Sequence, residues 1–195
     1  MAITAAAVKQ LREMTGIGMM KCKEALQAAD GDLEKAVEHL RKQGLKTAEK
    51  KAGRATSEGI IGSYIHSNKK IGVLVEVRCE TDFVARGDDF GQLCRDLSMQ
   101  IAATKPIAIS RDEVAAGVLE KERDIYREQF KDKPAQAIEK IVEGKLEAFF
   151  KERCLLDQPF VKEPKTSVAD HIKSIVAKVG ENISVARFVR FELGE

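Results

Sequence analysis

No tryptophan occurs among the 195 residues, and two tyrosines with eight phenylalanines bring the aromatic share to only 5%. With so few rings to fill a core, a phenylalanine placed outside it calls for a reason, and insertion into a partner is a strong one. Cysteine is sparse as well. Cys22, Cys79, Cys94 and Cys154 stand far apart, with no C-x-x-C pair among them. That spacing excludes zinc ribbons and dithiol redox centres and reads as four free thiols of a reducing compartment. The three histidines, His39, His66 and His171, lack metal-ligand spacing. No G-x-x-x-x-G-K-[ST] phosphate loop is present, and Gly16-x-Gly18 has neither the third glycine nor the preceding strand of a dinucleotide site. No run of 18 apolar residues occurs, and Met1-Ala2-Ile3-Thr4 opens no basic-then-apolar leader, so neither a membrane span nor a signal peptide is expected. Charge of one sign is missing too: 33 basic residues against 31 acidic leave +2, short of a dedicated nucleic-acid binder. The chain therefore reads as a non-enzyme with no catalytic residues, no metal and no cofactor.

What is there suffices for one or two small domains, with 44% hydrophobic and 33% charged residues. The first 44 residues predict three short amphipathic helices. Thr4 is placed to cap the first, with Ile3 and Val8 at staple spacing and Leu11 and Met14 continuing the apolar face. Thr15-Gly16-Ile17-Gly18 breaks it. The second helix shows Met19, Cys22, Leu26 and Ala29 on one face, with Met20 off it. Asp32 can cap a third helix bearing Leu33, Ala36, Val37 and Leu40, expected to end at Gly44. Such a unit buries little surface and is marginal alone. Lys46, Lys50, Lys51 and Arg54 then mark a basic, partly helical linker over 46–58.

From Gly59 the apolar period changes to two. Residues 60–66 predict a strand, 67–70 a turn, and Ile71, Val73, Val75 and Val77 one face of a second strand. Asp88 or Asp89 can cap a helix bearing Phe90, Leu93, Cys94, Leu97 and Ile101. Ser110 and Glu113 have capping-box spacing ahead of a charged helix from about 111 to 130, and Pro134 suits the start of the next. So short a break predicts an antiparallel hairpin over about 111–153, and the narrow apolar stripe of its first helix predicts that it projects into solvent. Gln158-Pro159-Phe160-Val161 reads as a loop, and Ser167 can cap a last helix. In a final strand Ile183, Val185, Val189, Phe191 and Leu193 alternate with Ser184, Ala186, Arg190 and Glu192, with Arg187 breaking the apolar row and Phe188 the other. The fold class is α+β: a three-helix head over 1–45, the linker over 46–58, and a core over 59–195 with a three-stranded antiparallel sheet and packed helices. A small sheet with two edges and an open face is a natural place for self-association.

The second strand ends unusually, in Cys79-Glu80-Thr81-Asp82-Phe83-Val84, which pushes an acid and a ring off the sheet. That run resembles the signature of the elongation factor Ts family. Leu11-Arg12-Glu13-Met14-Thr15-Gly16-Ile17-Gly18-Met19-Met20, Glu58-Gly59-Ile60-Ile61-Gly62-Ser63-Tyr64-Ile65-His66, Ile141-Val142-Glu143-Gly144-Lys145-Leu146, Gln158-Pro159-Phe160-Val161 and Phe188-Val189-Arg190-Phe191-Glu192 match it elsewhere, in order and over essentially the whole chain. The chain departs from the usual pattern at Lys21, Arg78 and Ala186, where the family commonly has Asp, Asn and Arg.

The resemblance implies a ubiquitin-associated-like head and a cytoplasmic guanine-nucleotide exchange factor for elongation factor Tu in translation elongation. It assigns Thr81, Asp82, Phe83 and Val84 to dislodging Mg²⁺ from that partner. Burying one phenylalanine yields about 1.5–3 kcal/mol, whereas a thousandfold weakening of GDP requires roughly 4 kcal/mol. A second anchor is needed, and Arg12, Met19 and Met20 of the head are the candidates, although Met19 reads first as a core residue. Long family members carry two core modules and only one is traceable here, so a homodimer binding two partners is expected, without nucleic acid or membrane. Two other readings stand beside this one: a ubiquitin-associated-type adaptor, and an RNA-binding ribosome accessory suggested only by residues 46–54.

Overall fold

The structure is a computed structural model that describes residues 3–194; Met1 and Ala2, on which the leader reading partly rests, lie outside the described residues. Mixed helix and sheet fall into two compact units. The first takes the described residues through Ile61 with Glu76–Cys94 and Asp170–Ala186; the second takes Gly62–Val75, Arg95–Ala169 and the described residues from Arg187 on.

In the first unit, helices α1 (Ala5–Thr15), α2 (Met19–Ala28) and α3 (Leu33–Lys51) pack around Val8, Leu11, Cys22, Ala25, Leu26, Ala36 and Leu40. Thr4 accepts from Ala7 N at 3.2 Å and Asp32 from Lys35 N at 3.1 Å, as their cap positions require. Gly16, at φ +67°, ends α1 in the left-handed region. Met14, expected on the buried face, is instead exposed. Nor does α3 stop at Gly44. It runs to Lys51, because Gly44 is needed for close approach rather than termination: a Cβ there would lie 3.0 Å from Ala177 Cβ.

Strands β1 (Glu58–Ile65), β2 (Ile71–Cys79) and β5 (Ile183–Glu192) form a sheet in the order β1-β2-β5, each changing unit along its length. The β1–β2 hairpin closes through His66 N donating to Ile71 O, 2.9 Å. Leu193 N donates to Lys70 O, and Asn182 N to the Glu80 carboxylate, so β5 runs antiparallel to β2. Between β2 and β5 come the one-turn α4 (Asp82–Ala85) and α5 (Asp88–Thr104), whose Phe90, Leu93, Cys94, Leu97 and Ile101 are all buried as predicted. Then follow α6 (Ala116–Gln129), α7 (Ala135–Arg153), β3 (Pro159–Phe160), β4 (Glu163–Ser167) and α8 (Val168–Val179). All four cysteines are buried and free.

Two expectations change in the second unit. Ser110 precedes only a 3-10 turn over Arg111–Glu113, with no hydrogen bond from that turn to its side chain, and α6 starts later, at Ala116. Glu113 turns back to accept from Ile109 N instead (2.9 Å). The predicted loop at 158–161 is half of a two-stranded ribbon, β3 with β4, held by buried Gln100, whose amide donates to Gln158 Oε1 (3.0 Å) and accepts from Val161 N (2.8 Å). The apolar row of β5 divides, with Ile183 buried at its start and its later members outside. Val189, Phe191 (66%) and Leu193 (77%) are exposed, while Arg190 points the other way. It donates to Ala102 O in the last turn of α5 at 3.3 Å, so a cation and a helix C-terminus take the inner side. α6 packs on α7 across a five-residue connection, with Arg127 Nε 3.1 Å from Glu139. Arg111 bridges Asp157 (2.7 Å) and Glu147 (2.7 Å), and both carboxylates hold its guanidinium well above its ordinary value.

Candidate functional site

The strand end does not run out freely. β2 stops at buried Cys79, and Thr81 becomes the N-cap of α4, its hydroxyl accepting from Val84 N at 3.4 Å. Within this single turn, Val84 and Ala85 face inward and are buried, so Phe83 is left 84% exposed. Asp82 lies on the same turn, exposed and paired with Arg86 at 2.9 Å. Core packing of Phe83 is thereby excluded, and Val84 anchors the turn from beneath.

Three hydrogen bonds to two residues fix Thr81. The Cys79 thiol donates to its carbonyl at 3.1 Å. Burial, with the Glu181 carboxylate second, pushes that thiol up, which keeps the proton the bond needs. Glu181 accepts twice, from Thr81 N (2.9 Å) and from its hydroxyl (2.6 Å). Next to them the exchange is reversed: Glu80 accepts from Asn182 N at 2.6 Å and from Arg54 at 3.3 Å. The Asn182 bond first, and then Arg54, holds the Glu80 carboxyl below its ordinary range. Sequence reading missed Glu181 and Asn182, which stand about a hundred residues from Thr81 and carry no motif.

In the same unit, the head presents its own cluster. The Thr15 hydroxyl donates to Leu11 O (2.7 Å) and accepts from Ile17 N (3.3 Å), and the Cys22 thiol donates to Ile17 O (3.3 Å). This stiff turn leads into α2 with Met19 45% and Met20 69% exposed. Met19 is therefore not a core residue. Its predicted row needs burial at every fourth position, but the turn lifts the first residue of α2 clear. Arg12 and Met14 are exposed just before the turn.

Of the basic residues read as a linker, Lys51 donates to Gly180 O and Arg54 binds Glu80, so two of the four serve internal contacts. Lys21 is exposed, and Arg78 is ion-paired with Glu76. Ala186 is half-buried. The Tyr64 hydroxyl lies 3.0 Å from His66 Nδ1. Among the described residues no cluster of His, Cys, Asp and Glu could hold a metal ion, and no helix is long and apolar enough to cross a membrane.

Known proteins match this arrangement along its whole length. The family model described as elongation factor TS matches residues 3–195. Elongation factor Ts of Thermodesulfovibrio yellowstonii is 59% identical over all of this chain and 98% of its own. That of Fervidobacterium nodosum is 58% identical with both chains fully covered. That of Heliobacterium modesticaldum is 57% identical over 99% of this chain and 91% of its own. A match this complete, running through the exposed Asp82-Phe83 turn and the head alike, places the chain in the elongation factor Ts family.

Proposed function

We propose that the chain exchanges guanine nucleotide by seating the Asp82-Phe83 turn of α4 beside the phosphate and Mg²⁺ site of GDP-bound elongation factor Tu. Membership of the elongation factor Ts family makes the exchange role toward that partner, in translation elongation, the function of the chain. One observation carries the wedge: a phenylalanine 84% exposed, in a chain with few rings, on a turn held at Thr81 by three hydrogen bonds to Cys79 and Glu181. Inserted into the partner, the Phe83 ring displaces groups that orient the cation, and Asp82 adds negative potential near the phosphates. Thr81 and Val84 set the pose from within. GDP is held by phosphate contacts together with the cation that neutralises them, so displacing the cation weakens both. The coupling is reciprocal: GDP weakens the factor as much as the factor weakens GDP.

The head supplies the second anchor through Arg12, Met19 and Met20, whose flexible thioethers adapt to a partner surface. We take α1–α3 as a ubiquitin-associated-like head over 1–45, followed by the linker at 46–58 and the core at 59–195, with α6 and α7 as a projecting antiparallel hairpin. Within the second unit, Ile65, Leu74, Val189, Phe191 and Leu193 stand exposed on three adjacent strands. A second copy of the chain covers this face, giving a cytoplasmic homodimer that binds two partners without nucleic acid.

Release of labelled GDP from elongation factor Tu tests the reading. The wild type accelerates release, and Phe83→Ala lowers the maximal rate by about 10- to 100-fold, as expected for 1.5–3 kcal/mol of lost burial. No acceleration by the wild type ends the exchange reading. Equal acceleration by both proteins ends the wedge role alone.

A further inference from the structure

A four-residue helix cannot hold its own place. Its internal bonds are few, here Ala85 N to Thr81 O and Arg86 N to Asp82 O, and one helical turn does not repay the ordering of its backbone. What orients α4 must therefore come from outside it. Val84 and Ala85 set its depth by burial. Direction is decided at Thr81, the joint between β2 and α4, where φ −129° and ψ +156° are extended and unstrained. Nothing in that local geometry selects one direction for the ring.

Glu181 makes the selection. Its two oxygens receive the Thr81 amide and hydroxyl, a charge-assisted pair with one fixed geometry. Because the hydroxyl proton points at Glu181, its lone pairs are left for Val84 N, so the carboxylate also organises the cap of α4. Glu181 itself stands on a tied platform. Gly180, at φ +82°, closes α8 by donating to Val176 O, and its own carbonyl takes the Lys51 ammonium. Asn182 donates its amide hydrogens to Ala52 O (3.3 Å) and Arg54 O (2.8 Å), and its backbone N–H to Glu80 (2.6 Å). The C-terminal end of α3, the turn at 180–182 and the joint at Thr81 thus form one continuous set of hydrogen bonds.

We propose that Glu181 is a positioning residue for exchange: it aims the Asp82-Phe83 turn through Thr81 without touching the partner, and it refers that aim to the C-terminal end of α3. The proposal rests on the wedge reading above, because aim matters only if α4 is inserted. A group misplaced by ~1 Å can lose up to about 100-fold in rate, whereas the head's contacts are untouched. Loss of Glu181 therefore acts on the maximal rate and not on the half-saturating concentration.

The experiment uses the full chain with elongation factor Tu carrying fluorescent GDP, and amide hydrogen exchange on the free chain. Glu181→Ala is expected to lower the maximal rate by roughly tenfold or more, to leave half-saturation within about threefold, and to lower protection of the amides of Val84, Ala85 and Arg86. Glu181→Gln keeps one acceptor and is expected between the two in both readouts. A maximal rate equal to wild type, a change in half-saturation alone, or a lost rate with protection intact would overturn the proposal. Should Glu181→Ala not fold, Glu181→Gln decides: values equal to wild type in both readouts refute it. If the wild type itself does not accelerate GDP release, the exchange reading fails, and the protection measurement still tests the bracing.

Discussion

Phe83 is exposed because its two successors are not. Val84 and Ala85 fill the underside of α4, and a single turn has no third direction to offer. The same economy of direction governs Met20, turned outward where the Thr15-Gly16-Ile17-Gly18 turn starts α2. With Met20 in the proposed anchor and not the wedge, Met20→Ala is expected to raise the half-saturating factor concentration about threefold to tenfold while the maximal rate at saturation holds. Titrating GDP release against factor concentration separates the two. Gly59 is a purely structural case. At φ +151° a side chain is strained, and a Cβ would run into the Val77 carbonyl oxygen. Gly59→Ala should lower stability by about 3 kcal/mol in urea unfolding, since backbone does not yield as a flexible side chain does.

At the scale of elements, caps and pairings set where each piece begins. Asp32 caps α3 directly, and Asp32→Ala should remove about 1 kcal/mol of stability, read as a lower urea midpoint. The bond between Glu80 and Asn182 ties β2 to the start of β5, and it makes a pH prediction with a definite sign. The Glu80 carboxyl is lowered from 4.5 in the fold, so the unfolded chain takes up its proton first as pH falls. Its contribution is fully present above 4.5 and is lost as pH drops through the folded value. Glu80→Gln should therefore flatten the fall in stability below that pH in acid titrations of the urea midpoint. Much of this level was legible beforehand. The apolar row of α5 follows from local periodicity, and the caps of Thr4 and Asp32 follow from local residue chemistry. The extension of α3 past Gly44 was not legible, because a glycine that ends a helix and one that admits Ala177 look alike in a sequence.

For the whole molecule, the outward apolar end of β5 is the informative feature. Alternation correctly separated Val189, Phe191 and Leu193 from Arg190 and Glu192, but alternation carries no label for inside. Ile183 is buried at the start of the strand, but at its C-terminal end the inner side went to the polar row, because Arg190 meets the C-terminal end of α5 and Glu192 pairs with Lys105 (2.7 Å). The apolar row is then left outside, together with Ile65 and Leu74. A contiguous apolar face of this kind marks an association surface. Phe191→Asp should convert a dimer to a monomer in light scattering at micromolar concentration, and a wild type that is monomeric there would remove the homodimer from the proposal.

The sequence by itself determined the family, the helix periods, the caps and the exceptional Asp82-Phe83 pair, because each lies within a few neighbouring residues and depends on local chemistry. Tertiary structure alone decided that Met19 and Met14 are exposed, that β5 shows Val189 and Phe191 outward, and that Glu181 holds Thr81 while Asn182 holds Glu80. Those outcomes depend on which distant segments meet. A carboxylate a hundred residues away leaves no periodicity, and only the closed chain brings it within hydrogen-bonding distance of the turn it holds.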